Sequence, residues 1–201
     1  MISALFFDLG GVMLTNGWDV AARKRASETF DLDWDEFQHR HQALVDDFET
    51  GKLVLEEYVR LAVMYEKRSF SREDFIQFMY EQSKSLPESL AFAKKLRDSG
   101  KYLMATLNNE SRELNDYRVR TFQLREYFEL FFNSGNVGVR KPETAIYELA
   151  LSVTQRKADE CVFIDDREFN LQLAREDGFR TIQFESVEQL TQGLRSLGVS
   201  V

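Results

Sequence analysis

The sequence predicts an α/β fold: a parallel sheet with helices packed on it, interrupted once by an all-helical insertion. Three observations lead there. Short apolar runs with β character alternate with longer segments of helical period. Those runs are nearly continuous in apolarity rather than alternating, as expected for strands covered on both faces. One stretch, 17–84, carries helical patterns alone.

The first run, SALFFD (3–8), ends in Asp8 and is followed by Gly10 and Gly11. The second, KYLMATL (101–107), ends at Thr106 and the polar group Asn108, Asn109, Glu110. ELFFNS (129–134), CVFID (161–165, closing on Asp165 with Asp166 beside it) and RTIQF (180–184) complete the set. Helices are expected over 86–99, with Ser85 as cap, Pro87 and Glu88 in the first turn and Gly100 as the stop, and over 142–153, with Pro142 in the first turn. Two more cover 168–177 and 186–197, the second opened by Ser186 and Gln189. Within the insertion, helices are expected at 19–30, 34–47, 54–67 and 72–83, with Asp33 and Ser71 as N-caps. The reading is a core of 1–16 and 85–201 carrying a helical cap at 17–84.

Composition removes several function classes. The chain has 201 residues, 43% of them apolar, enough for one core domain with a modest insertion. A net charge of −8 argues against nucleic-acid binding, which needs a phosphate-neutralising surface. The single Cys161 excludes an internal disulfide and a Cys-rich zinc site. The opening MISALFFDLGGVML has no basic region and Asp8 interrupts its apolar run, so it is not read as a signal peptide. No apolar run approaches the ~20 residues of a membrane span, and a cytoplasmic setting without membrane contact is the expectation.

In an open α/β sheet, ligands bind beyond the carboxyl ends of the strands. Asp8, Thr106, Asp165 and Asp166 are expected at that rim, with Lys141 on the loop after the third strand. Asp8 beside Asp165 concentrates negative charge, which a hard divalent cation such as Mg²⁺ would neutralise. Lys141 and the Thr106 hydroxyl could then hold an anionic group, and one oxygen of Asp8 could attack phosphorus. Gly10 and Gly11 leave room for the backbone to approach that group.

Together, FFDLGG, the strand-ending Thr106, the Arg140-Lys141-Pro142 turn and FIDDREFN resemble the four motifs of haloacid dehalogenase-like (HAD) hydrolases, in the right order along the whole chain. The insertion matches the position of that superfamily's small helical cap. The resemblance implies a Rossmann-like three-layer core and an Mg²⁺-dependent phosphohydrolase acting on a small phosphorylated metabolite. It implies Asp8 as covalent nucleophile and Asp8, the Gly10 carbonyl, Asp165 and Asp166 as metal ligands. Asn170 falls at a second polar position of the last motif. Substrate contact is expected from Thr106, Leu107, Asn108, Lys141 and Trp18, with catalysis by Asp8, Thr106 and Lys141.

One position departs from the pattern. Most phosphatases of the family carry a general acid/base Asp two residues after the nucleophile, and here that residue is Gly10. A positioned acid/base is worth roughly 10²–10⁴-fold in rate. The expectation is a slower enzyme, one using good leaving groups, or one with a substitute group among His39, His41 and Glu110. Both histidines are otherwise expected at the surface, as are Arg118 and Arg120, and Gln38, Arg40 and Glu49 give no signal. Two alternatives remain open. One is a non-catalytic phosphate-ligand-binding protein, motivated by Gly10. The other is a metal-independent 2-haloacid dehalogenase, which has no need of the acidic pair at 165–166.

Overall fold

A computed structural model describes residues 1–201. Five parallel strands, β1 (Ala4–Phe7), β2 (Leu103–Asn108), β3 (Leu130–Asn133), β4 (Cys161–Asp165) and β5 (Arg180–Gln183), form one sheet in the order β3-β2-β1-β4-β5. Alternate side chains of β1 serve opposite faces, which is why the run reads as continuously apolar. Leu5 and Phe7 pack beneath α5 (Pro87–Asp98) and α10 (Val187–Ser196); Ala4 and Phe6 pack beneath α8 (Thr144–Thr154) and α9 (Glu168–Glu176). This is the three-layer, Rossmann-like arrangement.

Between β1 and α5 lie α1 (Val20–Phe30), α2 (Trp34–Glu49), α3 (Leu55–Ala62) and α4 (Arg72–Glu81). They enclose their own apolar cluster around Tyr58, Phe37, Phe48 and Phe75. Asp19, Asp33 and Ser71 cap α1, α2 and α4 through their side chains, and Ser71 with Asp74 completes a capping box. Both chain crossings between insert and sheet are tied at one place. Thr15 N–H donates to the Lys84 carbonyl at 2.9 Å, and Lys84 N–H donates to Thr15 Oγ1 at 2.9 Å.

Some elements differ from the sequence expectation, each for a local reason. Ser85 does not cap α5: it is held in a β-bridge to Leu14, so Leu86 becomes the cap residue and Pro87 the first helical position. Pro142 lies before α8 rather than in it. Glu143 N–H closes a turn onto the Arg140 carbonyl at 2.8 Å, and the helix begins at Thr144. In the insert, α2 runs on to Glu49, whereas α3 stops at Ala62 and α4 at Glu81. The chain also contains α6 (Arg112–Thr121), capped by Ser111, and a single turn α7 (Ser134–Val137). The inward face of α6 includes Asn115 and Arg118, so the apolar period that announces a helix is missing from its sequence.

The insert is seated over the strand ends by its last long-helix turn. Ser134 Oγ donates to the Glu49 carbonyl at 2.6 Å, and Arg140 reaches Asp46 at 2.5 Å and Glu49 at 3.1 Å. Just beyond α2, Gly51 has φ +73°, and a Cβ there would stand 2.0 Å from the Gly135 carbonyl oxygen. A left-handed non-glycine residue costs ~1–2 kcal/mol even before that collision. Gly51→Ala is therefore expected to lower Tm by roughly 2–8 °C in a thermal melt, given ~2–4 °C per kcal/mol for a chain this size. An unchanged Tm would show that seating the insert does not require this backbone approach.

Candidate active site

The strand order reverses at β1, with β2 and β3 added on one side and β4 and β5 on the other. A crevice at the carboxyl ends follows from that topology. Phe7 pairs in register with Ile164, so the next residues, Asp8 and Asp165, leave the sheet side by side. Both are buried, and Asp166 is half-buried beside them. One carboxylate oxygen from each of the three can be chosen so that all lie within 4.8 Å of one another.

Lys141 links two of them. Its ammonium Nζ stands 3.0 Å from Asp8 Oδ1 and 2.6 Å from Asp165 Oδ2, and the residue is 2% exposed. Its backbone is fixed by Asn109: Lys141 N–H donates to Asn109 Oδ1 at 2.8 Å and Asn109 Nδ2 donates back to the Lys141 carbonyl at 2.8 Å. Asp165 is held further by Asn170 Nδ2, at 3.1 and 3.0 Å from its two oxygens, and by the Arg167 N–H at 2.8 Å. Asp8 Oδ1 also accepts the Leu9 N–H at 2.8 Å.

The electrostatics follow from this crowding. Burial pushes the Asp8 carboxyl up to about 7; the Lys141 ammonium pulls it back, and Asp165 adds repulsion. Burial and the neighbouring Asp165 also raise Asp166. Burial by itself would lower Lys141, but Asp8 and Asp165 outweigh it and hold the ammonium above its ordinary value. Three carboxylates face one bound ammonium, and Asp166 Oδ1 is buried without a hydrogen-bond partner. Unpaired buried charge is costly, and a set of hard oxygen donors suits Mg²⁺. The residues present fit that ion, with Asp8, Asp165 and Asp166 as the side chains able to hold it.

Above this floor is a cleft of about 240 Å³ whose other walls come from both the sheet and the insert. Asp8, Gly10, Asn109, Glu110, Lys141 and Asn170 line it from below; Trp18, His41, Phe48 and Glu49 line it from the insert. Trp18 has a second role as well, packing edge-on to Phe75 with ring centroids 5.7 Å apart.

Three residues expected at the substrate do not reach the cleft walls. Thr106 pairs with Phe7 inside the sheet, is 0% exposed, and its Oγ1 finds no partner. Leu107 belongs to the opposite apolar face. Asn108 is buried, its Nδ2 donating to Asn115 Oδ1 at 3.2 Å. The reason is that β2 runs through Asn108 rather than stopping near Thr106, so the polar residues that emerge are Asn109 and Glu110.

The insert and α6 add corrections. His39 is exposed, as expected, but His41 is buried and lines the cleft. Arg120 is exposed, yet Arg118 is buried and paired with Glu110 at 3.0 Å. Arg118 also donates to Ser83 Oγ at 3.0 Å and to the Asn16 carbonyl at 3.2 Å. Burial raises the Glu110 carboxyl while Arg118 opposes it. Glu49, which gave no sequence signal, enters the cleft wall because α2 extends to it. Phe169, on the first turn of α9 and 67% exposed, also lines the cleft. No periodicity marks either residue. Asn109 carried a weak sign in the polar run after β2.

At position 10 the missing side chain has a structural counterpart. A Cβ on Gly10 would lie 2.9 Å from Asn16 Oδ1, so the Asn16 amide occupies the space beside it. At Gly11, φ is +72° and a Cβ would stand 2.3 Å from Asp166 Oδ2. That close approach lets the loop and the acidic pair share one crevice.

The chain's likenesses to known proteins agree with this fold. A HAD family enzyme from Bacteroides thetaiotaomicron, bt-2542, superposes with a TM-score of 0.80 at 22% identity, over 94% of this chain and 98% of that one. The same enzyme in complex with magnesium and inorganic phosphate gives 0.77, over 94% and 99%. The L-2-haloacid dehalogenase of Xanthobacter autotrophicus, with chloropropionic acid covalently bound, gives 0.65 at 18% identity, over 100% of this chain and 85% of that one. At such identities the likeness is one of fold. A curated relative, drimenol cyclase drtB of Aspergillus calidoustus, is 24% identical over 201 residues, 98% of this chain and 37% of its own length. The chain thus spans little more than a third of that relative. The haloacid dehalogenase-like hydrolase profile matches residues 2–176, and the chain is a member of that family.

Proposed function

We propose that the chain is an Mg²⁺-dependent phosphohydrolase acting on a small phosphomonoester through an aspartyl-phosphate on Asp8. The observation that carries this reading is the convergence of Asp8, Asp165 and Asp166 around the Lys141 ammonium. A metal-free dehalogenase does not need three carboxylates at one point. The magnesium and phosphate complex of bt-2542 gives the same combination of ligands on a similar fold. In this reading the insert, 17–84, acts as a cap over a core formed by 1–16 and 85–201.

The protein's own groups divide the work as follows. An Asp8 carboxylate oxygen attacks phosphorus in line, and the bond from phosphorus to the leaving oxygen breaks. Lys141 orients Asp8 and offers a fixed positive charge to the phosphoryl oxygens. Asn109 and Asn170 act through others, the first by fixing the Lys141 backbone and the second by fixing Asp165. Water then attacks the phosphorus, the bond to Asp8 breaks, and inorganic phosphate leaves with the nucleophile restored. The metal, held by Asp8, Asp165 and Asp166 with the Gly10 carbonyl, would stabilise negative charge on the transferring group. Closure of the insert against the sheet excludes bulk water.

No carboxylate stands at position 10, and Glu110 is tied to Arg118 and to the Ser111 N–H at 3.1 Å. Protonation of the leaving oxygen is therefore weakly assisted. 4-Nitrophenyl phosphate, whose leaving group needs no proton, should turn over at least ~10²-fold faster than a simple alkyl phosphate. Equal rates would mean that a positioned acid operates after all.

The reading as a whole is checked by phosphate release over a panel of small phosphomonoesters with Mg²⁺. Asp8→Asn should lower kcat by at least about 10³-fold, since the amide keeps the shape and loses the nucleophile. EDTA should abolish release and added Mg²⁺ restore it. Gly10 favours a second reading, phosphate-ligand binding without turnover; it would be supported by tight binding of a phosphate ester with no release from any substrate. Chloride release from 2-haloacids in EDTA would overturn both in favour of a dehalogenase.

A further inference from the structure

Away from the carboxylates, the insert holds a chain of three buried polar groups that the reaction as described does not use. Trp18 Nε1 lies 2.9 Å from the Tyr58 hydroxyl, and that hydroxyl lies 2.9 Å from His41 Nδ1. Tyr58 is 0% exposed and His41 6%. α2 supplies the histidine, α3 the tyrosine, and the segment entering α1 the tryptophan.

Counting protons fixes the state of the ring. An indole N–H only donates, so the Tyr58 oxygen accepts from Trp18. Tyr58 has one proton of its own, and its remaining polar neighbour is His41 Nδ1. If Nδ1 carried a proton, it too would point at the Tyr58 oxygen. The hydroxyl proton would then be stranded in a site without solvent, the kind of unmade bond that folded interiors avoid. With Tyr58 donating to a bare Nδ1, every group in the chain is satisfied. The single proton of the neutral imidazole is then on Nε2.

Nε2 has no hydrogen-bond partner within the protein and is not among its sealed, unpartnered atoms, and His41 lines the cleft. Of the charged groups around it, Glu49 pairs with Arg140 and Glu110 with Arg118, while Arg23 donates only to neutral oxygens, the Trp18 carbonyl at 2.8 Å and Gln38 Oε1 at 3.1 Å. Burial and the nearby Arg23 charge push the imidazole down to about 3, so a second proton does not bind in the neutral range.

We propose that His41 is a fixed, neutral Nε2–H donor that grips a hydroxyl or carbonyl oxygen of the substrate's leaving group, selecting small organic phosphates whose leaving group carries such an oxygen, and that it does not replace the acid absent at position 10. The ligand half of this assignment rests on the phosphohydrolase reading; the proton placement does not. The cleft, at about 240 Å³, falls below the ~300–1,000 Å³ usual for drug-sized ligands, in keeping with a small leaving group. A site built to hydrogen-bond a hydroxyl discriminates against analogues lacking it, because its own polar atom is left unpaired.

Two measurements test it separately. Long-range ¹H–¹⁵N correlation spectra of the whole chain, without substrate, should show His41 protonated at Nε2 and bare at Nδ1 from pH 8 down to pH 5. His41→Gln identifies its signals by their loss. Protonation at Nδ1, or titration within that range, overturns the proposal whether or not the chain is a phosphatase. Calorimetry on Asp8→Asn with Mg²⁺ should then show glycerol phosphate and glucose phosphate binding tighter than phenyl phosphate. His41→Phe in that background should weaken the two hydroxyl-bearing ligands by about tenfold, the loss of one hydrogen bond, and phenyl phosphate by much less. His41→Gln, which keeps a donor, should recover part of the affinity. Hydroxyl-bearing ligands binding no better than phenyl phosphate would overturn the ligand half. In turnover, His41→Phe should raise KM while leaving the shape of the pH–rate profile intact; loss of one limb of that profile would make His41 a proton donor and sink the proposal. Failure of the wild-type chain to release phosphate from any ester would count against the phosphohydrolase reading alone.

Discussion

Lys141 Nζ sits between Asp8 and Asp165, at 3.0 and 2.6 Å, at the one point where the two central strand ends open. Carboxylate oxygens of the two aspartates lie within 4.8 Å of each other, and like charges that close repel strongly in a low-dielectric site. Without a cation between them, two buried carboxylates leaving adjacent strands would favour protonation or displacement of one of them. The Lys141 backbone is itself held by a pair of hydrogen bonds to the Asn109 side chain. Thus the ends of β1, β2 and β4 and the loop before α8 are bound together through one residue. Breaking a buried pair by removing one partner leaves the other charge uncompensated, which is why such a centre tolerates little change.

That constraint organises the layers above it. The sheet can present three acids together because apolar residues cover both its faces and fix the strand register. The insert can close over them because Glu49 and Asp46 dock on Arg140, the residue next to Lys141, and Ser134 grips the end of α2. The charged centre and the docking point of the insert are therefore neighbours along the chain. A shift of the loop carrying Arg140 and Lys141 would be felt by both. The carboxylates and Lys141 stand on the sheet side of the cleft, and Trp18, His41, Phe48 and Glu49 stand on the insert side.

The sequence was legible where one local rule decides the outcome. Asp33, Ser71 and Ser186 act as caps because a side-chain oxygen reaches an N–H three residues on, a purely local geometry. The five strands were legible because burial on both faces leaves a continuous apolar run. Where a distant partner intervenes, the local rule fails. Ser85 gives up its cap to a bridge with Leu14, and α6 turns Asn115 and Arg118 inward because Asn108 and Glu110 wait there.

By itself the sequence determined the α/β class, the order of the five strands and the set of acids and lysine that a strand-end site requires, since residue type and spacing carry that information. Tertiary structure alone decided which polar residues after β2 reach the cleft. A strand that runs on through Asn108 buries Thr106 and Leu107 in the sheet, holds Asn108 against Asn115, and lets Asn109 and Glu110 emerge. It also decided that His41 and Arg118 are interior. Nothing in a one-dimensional pattern records that Tyr58, 17 residues away, supplies a proton to one, or that Glu110 neutralises the other. Burial of a polar side chain depends on the partner that the rest of the fold brings to it.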